Sequence, residues 1–453
     1  MKKANTRTVA KSAKHSGRSE MVQKIEAKFR DRSARIGILG LGYVGLPLAL
    51  EFCRKGFRVA GFDVSRKRVA DIKRGRSYIS DVPSSELAQC VKKGLLSAYD
   101  NFGALAAQDA VIICVQTPLR KTKEPDISYI LATLREITAH MRRGQLIVLE
   151  STTYPGATEE IILPALEKDG PRLGQDFFLA FSPERVDPGN AHYQTANTPK
   201  VVGGADAAST RLAAALYEQV IEKVVPVSST RTAEVVKLLE NSFRAVNIAL
   251  VNELALICHR LDIEAWEVIA AAATKPFGFM PFYPGPGIGG HCIPKDPQLL
   301  SWKMKTLNFD ARFIQLASTI NGSMPDYTVR RIADMLNGAR KSLNGSRVLV
   351  LGAAYKPGIS DYRESPSLDV MDLLLQKQAQ VSYHDPYVPE AVLRTRTLRS
   401  VPLTDAALKA ADCVVILTAH AGIDYGRIVR RARLVFDARN ATKGLAAKNL
   451  QRL

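Results

Sequence analysis

Short, continuous runs of apolar residues recur through the first half of the chain, and stretches with helical periodicity separate them. The runs cover residues 35–40, 57–62, 110–115, 146–150, 177–181 and 200–203. Runs of this length without polar alternation are typical of parallel strands that are buried on both faces. The pattern predicts a doubly wound α/β domain, preceded by a short amphipathic helix over residues 20–31.

The period changes at residue 230, where apolar residues begin to recur every three or four positions. This stripe contains no glycine or proline and comprises Val235, Leu238, Leu239, Phe243, Val246, Leu250, Leu254 and Ile257. It predicts one helix of about thirty residues, ~45 Å long at ~1.5 Å per residue. Such a helix is long enough to join two domains and to carry a dimer interface. Further helix is predicted up to Ala273 and from Ala311 to Ser323.

A second set of short apolar runs follows a joint at Asn344, beginning at Arg347, Gln380, Cys413 and Leu434. The predicted fold class is therefore α/β, with two Rossmann-like doubly wound domains joined by a long central helix in an all-helical middle region. The predicted divisions are a disordered basic tail, a first α/β domain, a central helical domain and a second α/β domain, at residues 1–20, 21–228, 229–343 and 344–453.

Charge and cysteine content narrow the class of protein. The 453 residues carry a net charge of +19, and residues 1–35 supply +8 of it. This excess suits polyanionic ligands such as nucleotides, whereas nucleic acid is disfavoured because no recognition motif accompanies the charge. Six scattered cysteines, no bilayer-length apolar run and no secretory signal predict a cytoplasmic protein with reduced thiols, no membrane insertion and no metal site.

The first apolar run ends in a glycine pattern that predicts a dinucleotide site. Gly40, Gly42 and Gly45 form G-x-G-x-x-G between a strand and a helix, and Asp63 ends the next strand eighteen residues after Gly45. The glycines permit a tight turn, close approach of a pyrophosphate and close helix packing, and the acid binds ribose hydroxyls. Asp63 favours NAD over NADP, although the basic residues 66–68 leave NADP open.

Three polar turns follow later strands and contain Thr117, Thr152 and Glu184. Because ligands bind at the carboxyl ends of parallel strands, these residues are expected at one rim of the sheet. The alternative is that each is an ordinary turn or cap residue.

Residues 281–297 read PFYPGPGIGGHCIPKDP, with four glycines and five prolines, so this stretch predicts a stiff loop. Inside it, Cys292 lies near Lys295 and Asp296. A thiol beside a cation and a carboxylate is a candidate nucleophile, and a buried structural cysteine is the alternative. Lys237 and Asn241 are four residues apart and share one helix face, which is also the pattern of solvated surface residues.

The second α/β half lacks G-x-G-x-x-G and lacks an acid at ribose spacing, so no second NAD site is expected there. Its loops offer Lys356, Arg363 and Arg439, which are either anion ligands or ordinary surface charges. A dinucleotide site together with a reactive thiol suggests a chemistry. NAD oxidises an alcohol to an aldehyde, the thiolate captures the aldehyde as a thiohemiacetal, a second oxidation gives a thioester, and water releases an acid.

The motifs occur in the order found in the UDP-glucose/GDP-mannose dehydrogenase family, which the chain resembles from about Met21 to its end. They lie at residues 40–49, 150–156, 182–189, 237–241, 289–296 and 355–365. Gly-Gly-His-Cys-Ile-Pro at 289–294 most resembles the UDP-N-acetylglucosamine 6-dehydrogenase branch. The resemblance implies an NAD-binding first domain, a UDP-binding last domain and a homodimer or larger homo-oligomer.

The resemblance also implies roles for individual residues. Cys292 is the covalent nucleophile, Lys237 and Asn241 stabilise the oxyanion and help to move protons, Glu184 and Thr152 position water, and Asp296 supports the lysine and the cysteine. The implied cofactor-binding residues are Gly40, Gly42, Tyr43, Val44, Gly45, Asp63, Arg68, Thr117 and Thr152. The implied substrate-binding residues are Glu184, Arg185, Lys237, Asn241, Arg244, Phe282, Tyr283, Gly287, Gly289, His291, Lys356 and Arg363. His291 is either a general base or a loop ligand to the substrate.

The leading hypothesis is two-step, NAD-dependent oxidation of the C6 hydroxyl of UDP-N-acetylglucosamine to the uronate, feeding a surface polysaccharide or lipopolysaccharide. UDP-ManNAc, UDP-GalNAc and UDP-glucose are alternative substrates, because epimers differ by only a few hydrogen bonds in the pocket. The alternative outside the enzyme class is a non-catalytic regulator that binds NAD and a nucleotide sugar.

Overall fold

The computed structural model describes residues 19–79, 82–120, 122, 124–187, 190 and 192–453, and these form two compact units, Met1–Leu239 and Glu240–Leu453. Residues 1–18 of the predicted basic tail lie outside the described residues. A helix, α1, covers residues 19–30 and buries Ile25 and Phe29, so the predicted amphipathic helix is confirmed. No helix among the described residues combines the length and the apolar character that crossing a membrane requires.

The first unit is built on an eight-stranded sheet with helices on both faces. Its strands are β1 (Arg35–Leu39), β2 (Arg58–Phe62), β3 (Leu96–Tyr99), β4 (Ala110–Ile113), β5 (Gln145–Leu149), β6 (Phe177–Phe181), β7 (Lys200–Gly204) and β8 (Val224–Val227). Its helices after α1 are α2 (Gly45–Arg54), α3 (Arg66–Lys73), α4 (Ser84–Lys92), α5 (Ser128–His140), α6 (Leu163–Glu167) and α7 (Ala207–Tyr217), with a 3-10 turn at Gly103–Ala107 and a π turn at Thr158–Ile162.

Burial on both faces explains why the strand sequences are apolar without alternation. Ala110 and Ile112 of β4 pack into one core cluster, and Val111 and Ile113 pack into the cluster on the opposite face. Successive side chains of a strand point to opposite faces, so both sets must be apolar when helices cover both.

The sheet order is β3-β2-β1-β4-β5-β6-β7-β8, and the expectation of a wholly parallel sheet was wrong at one place. β7 pairs with β6 antiparallel, with Phe181 opposite Gly203, whereas β7 and β8 are parallel to each other. The strands β3 and β8 were not predicted, because Ser97 interrupts the short run LSAY of β3 and Pro226, which cannot donate to a strand ladder, interrupts VVPV of β8.

The long helix α8 (Thr230–Arg260) has the predicted length, and the division between the two units falls within it. The second unit continues with α9 (Ala265–Ala272), α10 (Asp296–Lys305) and α11 (Arg312–Gly338). Prediction ended α11 too early, at Ser323, because Pro325 lacks an N–H and normally interrupts a helix. The structure continues the helix through Pro325, which is buried beside Met324 and Thr328, so packing outweighs the one lost hydrogen bond.

The end of the second unit is a five-stranded parallel sheet of order β10-β9-β13-β14-β15 with an added hairpin. The strands are β9 (Arg347–Leu351), β10 (Gln380–His384), β11 (Glu390–Val392), β12 (Thr397–Arg399), β13 (Cys413–Ile416), β14 (Val435–Asp437) and β15 (Leu450–Arg452). The helices are α12 (Pro366–Gln376), α13 (Asp405–Ala410) and α14 (Tyr425–Arg431). The three-residue strands β11, β12 and β15 were not predicted.

Candidate active site

The glycine turn between β1 and α2 has the shape that a dinucleotide requires. Gly40 has φ +92°, and a Cβ there would lie 2.7 Å from the carbonyl oxygen of Cys114. A Cβ on Gly45 would lie 1.9 Å from the carbonyl oxygen of Gly40, so strand and helix approach as closely as the backbone allows. A Cβ on Gly42 would meet nothing within 4 Å, which leaves space beside the N-terminus of α2 for a phosphate.

Asp63 completes this turn from the end of β2. Its carboxylate is buried and accepts hydrogen bonds from the backbone N–H groups of Leu41, at 3.0 Å, and Ser65, at 2.8 Å. Arg68 Nη1 lies 3.3 Å from Asp63 Oδ2. An acid fixed against the glycine turn is the group that binds ribose hydroxyls, so these residues fit NAD. Tyr43 is exposed in the same turn.

The ends of β4 and β5 bring two predicted rim residues together. Thr117 Oγ1 donates a hydrogen bond of 2.6 Å to the carbonyl oxygen of Thr152. Ser151 Oγ donates to the carbonyl oxygen of Val115 at 2.6 Å, so the two turns are joined twice.

Glu184 follows β6 and lies in a charged cluster that the sequence analysis missed. Its Oε1 accepts from the backbone N–H groups of Arg185, at 2.8 Å, and Val186, at 2.7 Å. Its Oε2 lies 3.6 Å from Nζ of Lys200, whose side chain is 5% exposed. Lys200 Nζ also lies 3.2 Å from Oε1 of the buried Glu150.

A second missed residue, Glu234, joins the first turns of α8 to the loop that follows Thr152. It is fully buried and accepts hydrogen bonds from the backbone N–H groups of Gly156, at 2.5 Å, and Thr158, at 3.0 Å. Thr158 Oγ1 donates to it at 2.7 Å. Burial, only partly offset by these hydrogen bonds, raises the pKa of Glu234 to about 7. Lys237 lies three residues later, half-buried, on the part of α8 that belongs to the first unit.

In the second unit, Cys292 lies in a tight turn immediately before α10, and the residue is exposed. Its carbonyl oxygen accepts from the backbone N–H groups of Lys295, at 3.1 Å, and Asp296, at 2.8 Å. Asp296 is the first residue of α10 and is fully buried, and Asn241 Nδ2 donates to its Oδ2 at 2.6 Å. The turn therefore presents an exposed cysteine whose main chain is hydrogen-bonded to Asp296, the residue that carries the buried carboxylate.

Glycines let the cysteine loop lie directly on the second sheet domain. A Cβ on Gly289 would lie 2.7 Å from Cβ of Tyr355, and a Cβ on Gly290 would lie 2.8 Å from the same ring. The backbone N–H of Gly285 donates to Oδ1 of the buried Asn252 at 2.9 Å. Asn252 Nδ2 in turn donates to Asn321 Oδ1 at 2.8 Å, so two helices hold the loop. Gly287, with φ +135°, would place a Cβ 3.0 Å from Cβ of Pro366.

Basic side chains surround this loop within the second unit. Arg363 forms a paired contact with Asp361, with Nη2 to Oδ2 at 2.7 Å and Nε to Oδ1 at 2.9 Å. Partial desolvation, and then the charges of Lys295 and Arg363, lower the pKa of His291 to about 4, which leaves the imidazole neutral at pH 7. Burial lowers the pKa of Arg439 to about 10, so it keeps its charge, and its Nε donates to the carbonyl oxygen of Leu417 at 2.8 Å.

The remaining predicted substrate residues lie at or near the same loop and α8. Phe282 packs edge-on against Phe243 at 5.8 Å between ring centroids, and Tyr283 stacks on Trp266 at 5.6 Å. Arg244 is exposed on α8, and Lys356 is half-buried after β9.

The second sheet domain carries an acid after β10 that the spacing rule did not point to. An acid, Asp385, does stand at the end of β10, and its Oδ2 accepts from the backbone N–H groups of Ala353, at 2.8 Å, and Ala354, at 3.0 Å. The spacing rule missed it because a longer connection separates it from Gly352 than the one between Gly40 and Asp63. His420 Nε2 lies 3.0 Å from the same oxygen, so this acid already has an internal partner.

The glycine turn and the acid at the end of β2, set in a doubly wound α/β domain, define an NAD-binding protein. Comparison with known families agrees. Residues 34–221 match the NAD binding domain of the UDP-glucose/GDP-mannose dehydrogenase family, residues 231–323 match its central domain and residues 349–444 match its UDP binding domain. The chain belongs to the UDP-glucose/GDP-mannose dehydrogenase family.

Similar proteins carry names with two different sugars. A UDP-N-acetyl-D-mannosamine dehydrogenase of Pyrococcus horikoshii is 35% identical, over 90% of this chain and 96% of that protein. A UDP-N-acetyl-D-glucosamine 6-dehydrogenase of Pseudomonas aeruginosa is 34% identical, over 86% of this chain and 91% of that protein. The solved structure of the UDP-D-ManNAc dehydrogenase from P. horikoshii superposes with a TM-score of 0.84 at 34% identity, covering 92% of this chain and 98% of that one.

Proposed function

We propose that this enzyme oxidises the C6 hydroxyl of UDP-N-acetylglucosamine to the carboxylate in two steps, through covalent intermediates on Cys292. The observation that carries the proposal is the exposed Cys292 in a turn closed by Asp296, whose buried carboxylate is bonded to Asn241 at 2.6 Å. A dehydrogenase that stopped at the aldehyde would have no use for a nucleophile presented in this way.

The C6 alcohol loses a proton and a hydride and becomes an aldehyde. The Cys292 thiolate forms a bond to C6 while the carbonyl oxygen takes up a proton, and the resulting thiohemiacetal loses a second hydride and its hydroxyl proton to give a thioester. Water then breaks the C–S bond, releasing the carboxylate and a proton and restoring the thiol. When bound, NAD accepts one hydride in each oxidation, so that two NAD and one water are consumed for each sugar.

The side-chain roles follow from charge and hydrogen-bonding capacity. We assign Lys237 and the Asn241 amide to the developing oxyanion at C6, since both donate hydrogen bonds. Glu184 and Thr152 are assigned to the water that cleaves the thioester. Asp296 orients Asn241 through the 2.6 Å hydrogen bond.

For the UDP group we assign the loop from Phe282 to Gly290 together with Lys356 and Arg363. The aromatic pairs at Phe282 and Tyr283 offer flat apolar surface to a base, and the cations offer charge to phosphates. A neutral His291 supports the role of loop ligand over that of general base, because a pKa of about 4 makes the imidazole a weak base at pH 7.

A second candidate is the C2 epimer, UDP-N-acetylmannosamine, because the P. horikoshii relative with that name is as similar to this chain as the glucosamine enzyme. UDP-GalNAc and UDP-glucose follow. Purified enzyme, NAD and each of the four sugars in turn would be assayed by NADH absorbance and by mass of the product.

The expected result is two NADH per UDP-N-acetylglucosamine, with the uronate as product. Cys292→Ala would abolish it, whereas Cys258→Ala, at a buried cysteine, is the matched control and would keep it. Two NADH from UDP-N-acetylmannosamine instead would identify that sugar as the substrate. One NADH per sugar would mean that the reaction stops at the aldehyde and forms no thioester. Binding of a sugar nucleotide without NADH formation from any of the four would favour a non-catalytic regulator.

We further propose that the enzyme is a homodimer that buries one face of α8. Phe243, Leu250 and Ile257 are 46%, 61% and 47% exposed there, and large apolar side chains on one helix face normally lie against a partner. Leu250→Lys is expected to give a monomer in analytical ultracentrifugation, whereas Glu218→Lys, at an exposed charged position at the end of α7 and outside α8, would not. An unchanged dimer with Leu250→Lys would exclude this face.

We retain the predicted division at residues 21–228, 229–343 and 344–453. The separate matches to the NAD binding, central and UDP binding models support it.

A further inference from the structure

Because β7 runs antiparallel to β6, its first residue, Lys200, lies beside the residues that follow the end of β6. β6 and β7 pair antiparallel, with Ala180 opposite Gly204 and Phe181 opposite Gly203. Continuing this register past the end of β6 sets residue 184 opposite residue 200. Ser182 Oγ, which donates to the carbonyl oxygen of Val201 at 2.8 Å, extends the contact in the same direction. Lys200 therefore reaches the carboxyl-end rim of the sheet from a strand that runs the other way.

Lys200 lies between two carboxylates and an aromatic ring. Its Nζ is 3.2 Å from Glu150 Oε1, 3.6 Å from Glu184 Oε2 and 5.0 Å from the ring centroid of Tyr217. The Tyr217 hydroxyl donates a hydrogen bond to the same oxygen of Glu150. All four side chains come from the first unit, and that of Lys200 is 5% exposed. Cys114, at the end of β4, also faces this cluster, and burial raises the pKa of its thiol.

The two acids that contact Lys200, Glu150 and Glu184, have different roles. Glu150 is fully buried and has Lys200 as its cation, so it anchors the ammonium. Burial lowers the pKa of Lys200, but Glu150 and Glu184 together raise it above the ordinary value, so the lysine stays charged. Glu184 is the more exposed acid, at 16% of its side chain, and only its Oε2 faces the ammonium, because Oε1 accepts from Arg185 and Val186.

We propose that Lys200 is a positioning residue for the hydrolytic half of the reaction: held by Glu150 and Tyr217, it fixes Glu184 Oε2 in place for the water that cleaves the thioester. This inference rests on the proposed function, in which Glu184 positions that water. Without Lys200, Oε1 would still be held by two N–H groups, but Oε2 would lose its only charged partner among the described residues. A mispositioned catalytic group lowers a rate by up to about 10²-fold.

The test compares three variants by rapid mixing with NAD and sugar. Lys200→Met removes the ammonium but leaves Glu150 buried without its cation, which threatens folding. The double variant Glu150→Gln/Lys200→Met removes both charges and is the informative one. Glu184→Gln reports on the acid itself. Each is measured for the burst of NADH, for the steady-state rate, and for the mass of enzyme carrying the thioester on Cys292.

For the double variant we expect the NADH burst to be kept, the steady-state rate to fall by about 10- to 100-fold, and the acyl-enzyme to accumulate. Glu184→Gln should show the same signature. A double variant that folds and turns over at the wild-type rate, while Glu184→Gln is slow, would overturn the inference and keep the proposed function. A slowed burst without acyl-enzyme would also overturn it, because the damage would then precede hydrolysis. Wild-type turnover by Glu184→Gln would overturn both the inference and the assigned role of Glu184.

Discussion

Glu234 allows a stability prediction whose sign follows from its burial. The carboxyl is fully buried against Gly156 and Thr158, and this burial raises its pKa from the ordinary 4.5 to about 7. A raised pKa means that the folded protein binds the proton more tightly than the unfolded chain does. The contribution to stability is therefore complete below pH 4.5 and is lost as the pH rises through about 7.

The magnitude follows from the size of the change. A pKa raised by about 2.5 at ~1.4 kcal/mol per pH unit corresponds to about 3 kcal/mol of unfolding free energy. Glu234→Gln keeps the shape of the side chain and cannot titrate. We expect the unfolding free energy of the wild type to fall by about 3 kcal/mol more than that of Glu234→Gln between about pH 4.5 and 8.

Urea unfolding of both proteins at several pH values would measure this difference, because titrations common to both cancel. Glu218→Gln is the matched control, since Glu218 is exposed on the same unit and should follow the wild type at every pH. Parallel stability curves for the wild type and Glu234→Gln would refute the reasoning, and so would a difference that grows in favour of the wild type as pH rises.

Two other substitutions probe the geometry directly. Gly45→Ala would place a Cβ 1.9 Å from the Gly40 carbonyl oxygen and so displace the turn that positions the ligand. Calorimetry should show NAD binding weakened by at least about tenfold. An unchanged affinity would contradict the role assigned to this turn. Asn252→Leu would leave the Gly285 N–H and the Asn321 amide without their buried partner and should lower the unfolding free energy by about 2–5 kcal/mol; a loss below about 1 kcal/mol would show that neither bond contributes as inferred.

Several features of this enzyme could be predicted from local sequence patterns. The continuous apolar runs identified six of the eight strands of the first sheet, because a strand covered on both faces must be apolar at successive positions. The glycine turn could also be predicted, since only glycine fits at position 45, where a Cβ would lie 1.9 Å from the Gly40 carbonyl oxygen. The unbroken apolar stripe predicted the start of α8 at Thr230 and its length of about thirty residues.

Other features depend on which distant segments meet, and no local pattern encodes that. Lys200 looked like the first residue of one more buried strand, and its pairing with Glu184 exists only because β7 runs antiparallel to β6. Strand direction is decided by how the chain returns to the sheet rather than by the composition of the strand. Glu234 is a polar residue in the first turns of α8 that no sequence motif marks, and its burial against the loop at Gly156 raises its pKa.

The same distinction applies to the elements that were predicted too short or missed. Pro325 ends a helix when only local hydrogen bonding is considered, but burial of the surrounding residues keeps α11 continuous to Gly338. Asp385 was missed because the spacing rule counts residues, whereas its position depends on where β10 ends beside β9. Six strands of the first sheet, the glycine turn and the long helix could be predicted from local sequence, because they follow from backbone sterics and periodicity. The buried charge pairs could not, because they form between residues that only the completed sheet brings together.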